Sequence, residues 1–258
     1  MENPEHTIHE ITRNLAKHPA RIYRHSLEMA AERAQLVMEI SLQDLNHQLA
    51  YWNRVGPGKS FGHPANFERL DQWLNPDSRI LDLGCGYGRV AGSLFEHGYQ
   101  NLIGFDPAPA MVALARERFP LIAFEVISAP PHLDLSDASV DAVLLFSVLT
   151  CVPTDYGQRA IIREAARVMR PGGLLYVSDL WLQTDERNTV RYLAGQLKHG
   201  TYGVFDLPEG VIVRHHDPRW IEELTQDFDK LEVDAIDVHT TNGNAAQGFQ
   251  WFGSKRPS

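Results

Sequence analysis

Ile80-Leu81-Asp82-Leu83-Gly84-Cys85-Gly86-Tyr87-Gly88-Arg89-Val90 runs an apolar segment into three alternating glycines and then into helical periodicity. Glycines at such a strand-to-helix turn let backbone approach a ligand closely, and the free N–H groups at the helix start favour negative charge. The spacing is G-x-G-x-G rather than the G-x-G-x-x-G of dinucleotide folds, and an acid, Asp82, stands two residues before the first glycine. A carboxylate there repels a diphosphate and attracts a cationic group.

Further along, Asp106 lies 22 residues after Gly84 and closes the next apolar run, Leu102 to Phe105. An acid at a strand end can accept both hydroxyls of a ribose. The glycine loop and the two acids together define one nucleoside site; the plainer alternative is a tight turn with incidental acids. Around them short apolar runs alternate with helical stretches. Strands are predicted over Arg79–Leu83, Leu102–Phe105, Ile122–Val126, Ala142–Phe146 and Leu174–Ser178, and helices over Val90–Phe95, Ala110–Arg118 and Gly157–Val168. That rhythm makes a doubly wound α/β sheet with right-handed crossovers. After Asp179 the rhythm breaks, and the insertion 180–216 is the natural place for substrate specificity. A last helix (Pro218–Phe228) and strands near Leu231–Val238 and Phe249–Phe252 follow.

Towards the N-terminus, Leu27, Ala30, Ala34, Val37, Ser41 and Leu45 recur at helical spacing over Pro19 to about Asn46. Tyr51-Trp52-Asn53-Arg54 then leads into Gly56-Pro57-Gly58, a loop before the main domain. The chain therefore divides into an N-terminal helical cap or lid, residues 1–60, and a main domain, residues 61–258.

The 258 residues carry a net charge of −9, which disfavours a grip on a phosphate backbone and removes nucleic acid from the expected partners. The first residues lack a secretory pattern and no apolar run is long enough to span a membrane, so a cytoplasmic home is expected. Cys85 and Cys151 are the two cysteines, and neither a disulfide framework nor a metal site is indicated.

Asp82-Leu83-Gly84-Cys85-Gly86-Tyr87-Gly88 resembles the first motif of the class I S-adenosyl-L-methionine (SAM)-dependent methyltransferases, and Gly104-Phe105-Asp106-Pro107 resembles their second. Ser139-Val140-Asp141-Ala142-Val143 and Arg167-Val168-Met169-Arg170-Pro171-Gly172-Gly173 are similar to the start of the family's fourth strand and to the turn before its fifth. The resemblance implies a Rossmann-like, seven-stranded sheet of order 3-2-1-4-5-7-6 with the last strand antiparallel, and SAM as cofactor. It places Gly84, Cys85 and Gly86 against the methionine part, with Asp82 supplying charge, and Asp106 at the ribose. The family often has an acid after the third strand; here Ser128-Ala129 stand there, so the adenine rests on them, Pro107 and Met111. Tyr51 and Phe146 complete the expected cofactor set.

For the acceptor, Tyr51-Trp52, the Leu149-Thr150-Cys151 turn, Thr201 to Phe205 and Arg214-His215-His216 are similar to features of small-molecule N-methyltransferases, including those of toxoflavin-type azapteridine biosynthesis. Phe146-Ser147-Val148-Leu149 replaces the Asp/Asn-Pro-Pro-aromatic loop of DNA amino-methyltransferases, and the paired glutamates of protein-arginine methyltransferases are absent. The expected reaction is methylation of a nitrogen or oxygen on a small heteroaromatic metabolite, by a monomer or homodimer. Trp52, Thr150, Trp181, Tyr202 and Phe205 are candidates to hold the acceptor. His215 and His216 are candidates to take its proton. For each aromatic, core packing is the competing role, and for each histidine a structural one. A non-catalytic SAM-binding regulator and a nicotinamide-dependent oxidoreductase are the competing functions.

Overall fold

A computed structural model describes residues 48–257, so the helix expected over Pro19–Asn46 lies outside the described residues. The described chain falls within one compact unit, which includes residues 48–60. After a short helix α1 (Leu49–Val55) and α2 (Phe67–Trp73), strands and helices alternate: β1 (Ile80–Leu83), α3 (Arg89–His97), β2 (Leu102–Asp106), α4 (Pro109–Arg118), β3 (Ala123–Val126), β4 (Val140–Phe146), α5 (Asp155–Val168) and β5 (Met169–Leu180). Then come α6 (Glu186–His199), the hairpin β6 (Val204–Asp206) and β7 (Ile212–Arg214), α7 (Pro218–Leu224), β8 (Phe228–His239) and β9 (Ala245–Lys255).

The main sheet has the order β3-β2-β1-β4-β5-β9-β8, with β9 antiparallel to both neighbours. With the small β6–β7 hairpin set aside, this is the expected 3-2-1-4-5-7-6 topology. Alternate residues of the central strands feed opposite faces, as strand geometry requires. Leu81, Leu83, Val143 and Leu145 pack against Ile161 and Ala165 of α5. Ile80, Ala142, Leu144 and Phe146 pack against Leu94 of α3 and Val112 of α4. Both faces are covered, so β1 is buried at all four positions, as parallel sheets demand. The register places Leu83 beside Phe105 and Phe146 beside Ser178, so the carboxyl ends of β1, β2, β4 and β5 form one edge.

Two expectations need correction. The helix beginning at Pro218 stops at Leu224: the Thr225 hydroxyl donates back to the Ile221 carbonyl (2.7 Å) and Phe228 opens β8 instead. The insertion is not a break in regular structure. It holds α6 and a hairpin, which with α1 bury a separate cluster of Tyr51, Tyr192, Phe205, Val211 and Val213.

Candidate functional site

The glycine loop sits at the carboxyl edge in left-handed backbone, with φ of 75° at Gly84, 54° at Gly86 and 81° at Gly88. The N–H groups of Gly84 and Cys85 both donate to the Phe105 carbonyl, at 2.7 and 3.0 Å, which ties the loop to β2. A Cβ at Gly84 would lie 2.5 Å from Val148 Cγ2, so that glycine also admits the neighbouring loop. At Gly86 the nearest atom to a Cβ is Met111 Cε at 3.2 Å, leaving a cradle where a ligand can reach backbone. The loop opens on a cleft of about 970 Å³, mouth included, which Asp106, Pro107, Met111 and Phe146 also line.

Both acids reach this cleft. Asp106 Oδ2 accepts from Gly86 N (2.9 Å) and its Oδ1 from Ala108 N (2.8 Å). A carboxylate offers about four acceptor positions, so roughly two stay open, the number that a ribose diol requires. Burial pushes its pKa up to about 6, against the two N–H donors. Asp82 Oδ2 accepts from Ala91 N (3.1 Å); burial raises its pKa to about 7, opposed by that bond and by Arg89. Arg89 lines the same cleft, and its buried Nε has no hydrogen-bond partner among the described residues. An orphan guanidinium nitrogen opposite a glycine cradle and two acids fits the carboxylate and ammonium of an amino acid joined to a nucleoside. Reading the glycine loop alone passed over Arg89, although it stands directly after Gly88.

A second cleft, about 760 Å³ with its mouth, meets the first at Trp52, Phe61, Ser147 and Cys151, which line both. Of the candidates for the acceptor, Trp52, Thr150 and Phe205 line this second cleft, as does Tyr51, which sequence reasoning had assigned to the cofactor. His215 lines it too. Its Nδ1 is 2.6 Å from the Tyr192 hydroxyl, and burial, reinforced by the charges of Arg191 and Arg187, pulls its pKa down to about 3. The floor is the turn Leu149–Cys151: Thr150 N donates to buried Asp179 (3.0 Å), and its hydroxyl donates to the Arg214 carbonyl (2.8 Å). Burial lifts the Asp179 carboxyl to about 7. His63, Arg187 and Arg191 also line this cleft and were not singled out; nothing in their spacing marks them.

Other candidates lie elsewhere. His216 is wholly buried and lines neither cleft; Nδ1 donates to the Leu180 carbonyl (3.1 Å) and Nε2 accepts from the Gln158 amide (3.0 Å), whose oxygen accepts from Trp220 Nε1 (2.6 Å). Both nitrogens are engaged and burial holds the ring neutral, so His216 is corrected from proton acceptor to structural anchor. Trp181 stacks on Phe249 at 3.8 Å, and Tyr202 packs edge-on against Tyr192; neither lines a cleft. Ser128 and Ala129 are likewise outside the first cleft, whose wall there is Ile127 with Pro130 and Pro131. Among the described residues no group of His, Cys, Asp and Glu is arranged to hold a metal ion, and no helix is long and apolar enough to cross a membrane.

Residues 81–177 match the methyltransferase domain family. An uncharacterized methyltransferase of Mycobacterium tuberculosis is 33% identical over 195 residues, covering 73% of this chain and 76% of that protein. A ubiquinone biosynthesis O-methyltransferase of Xanthomonas campestris is 33% identical over 138 residues, 50% of this chain and 56% of that protein. Among solved structures, a SAM-dependent methyltransferase of Methanosarcina mazei superposes with a TM-score of 0.71 at 25% identity, over 76% of this chain and all of that one.

Proposed function

The chain belongs to the class I SAM-dependent methyltransferases, and from that premise we propose that it methylates a nitrogen or oxygen of a small, flat, heteroaromatic metabolite held in the second cleft. SAM is its cofactor. The observation that carries the proposal is the junction of the two clefts at Trp52, Phe61, Ser147 and Cys151. One cleft has the donors and acceptors for an amino-acid nucleoside, the other is walled by aromatics, and reactants in the two would meet across that seam.

When bound, SAM supplies an electrophilic methyl group on a sulfonium, open to in-line displacement. Asp106 would receive the ribose hydroxyls on its open acceptor positions, and Arg89 and Asp82 would hold the carboxylate and ammonium. Trp52 and Phe61, with ring centroids 6.3 Å apart, would flank the seam and exclude water from it. Alignment of the acceptor then provides most of the rate, because methyl displacement asks for geometry more than for acid–base chemistry. His215 is neutral across the physiological range and, with Nδ1 held by the Tyr192 hydroxyl, has Nε2 left for a hydrogen bond with the acceptor. The relative named for ubiquinone biosynthesis supports oxygen as one acceptor atom.

Tritiated SAM presented with heteroaromatic and phenolic metabolites, and separately with bulk tRNA, DNA and protein, tests this. Label is expected in the small molecules; preferential labelling of any polymer overturns the proposal.

A further inference from the structure

The second cleft differs in charge from the rest of the molecule. The chain as a whole has a net charge of −9, yet among the described residues no Asp or Glu lines this cleft, while Arg187 and Arg191 do. Both come from α6, which Asp185 caps by accepting from Asn188 N (3.1 Å) and which ends on Gly200 at φ 78°. Asn188, Tyr192 and Gly195 form its buried stripe, and at Gly195 the helix lies so close to β6 that a Cβ would fall 1.9 Å from the Val204 carbonyl. That contact fixes α6 against the hairpin. Arg187 and Arg191, four residues apart, therefore share a face beside the stripe, at the border of the cleft.

Arg191 is the more committed of the two. Its guanidinium lies 3.7 Å above the Phe205 ring and its charge is supported by the neighbouring Tyr192 side chain, while Nε is buried with no partner among the described residues. The Asp185 carboxylate is the weakest influence on it, and burial is the largest, working against its charge. A half-buried cation with no ion pair among the described residues is costly, and a ligand carboxylate would supply the counter-ion. Arg187 reaches Asn244 Oδ1 at 2.8 Å and adds a second positive charge one turn earlier. The planar fork of Arg is matched to carboxylate geometry, and Phe205 beneath it holds the plane still.

We propose that the methyl acceptor is an aromatic or heteroaromatic acid whose carboxylate is received by Arg191, with Arg187 beside it, while its ring lies among Trp52, Phe61 and Phe205. This rests on the reading of the second cleft as the acceptor site. The acid's carboxylate sets the orientation of the ring, and the atom to be methylated is the one that then points towards Ser147 and Cys151 at the seam.

The test uses the full chain saturated with S-adenosylhomocysteine and matched pairs of heteroaromatic and phenolic carboxylic acids with their primary amides, read by calorimetry. At least one acid is expected to bind about tenfold or more tightly than its amide. Arg191→Gln should abolish that preference, Arg191→Lys should restore part of it, and affinity for S-adenosylhomocysteine and melting temperature should stay near wild type in both. Equal binding of acids and amides, no binding of any acid, or an undiminished preference in Arg191→Gln overturns the proposal. A loss of S-adenosylhomocysteine affinity in Arg191→Gln with acid preference intact overturns it too, by assigning Arg191 to the cofactor. If wild-type protein fails to bind S-adenosylhomocysteine at all, the methyltransferase reading of the clefts fails first, independently of Arg191.

Discussion

Acidification should weaken cofactor binding in a way that identifies Asp106. In the ligand-free protein burial raises this carboxyl to about 6, so at pH 5 only about one molecule in ten carries it ionised. A ribose diol donates more strongly to the carboxylate than to the neutral acid, so affinity for S-adenosylhomocysteine should fall by up to about tenfold, ~1.4 kcal/mol, for each pH unit below about 6. Asp82, raised to about 7, adds a decline of the same sign beginning nearer neutrality, because the cofactor's ammonium favours its ionised form. The sign for folding is the reverse. Acids with raised folded pKa values contribute stability that is present at low pH and lost as pH rises through about 6 to 7, so affinity and the ligand-free contribution move in opposite directions. Calorimetric titrations from pH 5 to 8 at constant ionic strength measure this. Asp106→Asn should weaken binding roughly 10- to 100-fold at pH 8, ~1.4–2.7 kcal/mol, and remove about one unit of slope between pH 5 and 6. An affinity that is flat with pH, or a slope unchanged in Asp106→Asn, refutes the assignment.

At Gly84 the positive φ and the 2.5 Å approach to Val148 act together, so Gly84→Ala should lose about 1–3 kcal/mol of stability as well as cofactor affinity; unchanged thermal and chemical unfolding would show that the loop relaxes freely. His216→Ala removes a fully buried ring and its bond to the Leu180 carbonyl, which should lower stability by about 2–4 kcal/mol while turnover per folded molecule persists; loss of turnover at full stability would return this histidine to the chemistry. Turnover should be insensitive to EDTA, and an activity that EDTA removes and magnesium restores would reveal a metal requirement.

The first cleft was legible because it is written locally. A strand, a glycine turn and an acid at the next strand end are fixed by spacing alone, and Asp82, Gly84, Gly86 and Asp106 all reach one cleft. Ser128 and Ala129 were misplaced because a position after β3 says nothing about which way the following loop folds. The second cleft is assembled from α1, the Leu149–Cys151 turn, α6, the β6–β7 hairpin and the turn at 240–244, so no window of sequence contains it. Aromatic residues were the visible signal there, and aromatics pack against whatever lies nearest. Trp181 finds Phe249 and Tyr202 finds Tyr192, whereas Phe205 packs on Tyr192 and His215 yet still lines the second cleft, with Arg191 over its ring. The histidine pair splits for the same reason: on consecutive residues, His215 faces the cleft wall and His216 the Gln158–Trp220 network.

That dispersed cleft needs directional bonds to hold it, since its own cluster of five buried residues is small beside the two faces of the main sheet. Gln48, immediately before α1 and itself in left-handed backbone at φ 44°, supplies three of them. Its amide oxygen accepts from Ile212 N (2.7 Å), and its amide nitrogen donates to the carbonyls of Ile212 (2.8 Å) and Cys151 (3.2 Å). One side chain thus joins α1 to β7 and to the floor turn, and α1 brings Tyr51 and Trp52 to the second cleft. Gln48→Ala breaks all three bonds and should cost about 2–4 kcal/mol of local order, at about 1 kcal/mol for each bond plus the unsatisfied backbone groups. Because the main sheet makes none of these contacts, S-adenosylhomocysteine affinity should change less than about threefold, while turnover falls at least tenfold through misalignment of the acceptor. Hydrogen exchange should show faster opening of residues 48–60 and 204–214, with the glycine loop unchanged. Full turnover alongside that faster exchange would mean that α1 and the hairpin do not align the acceptor, and the second cleft would then have to serve something other than the reaction.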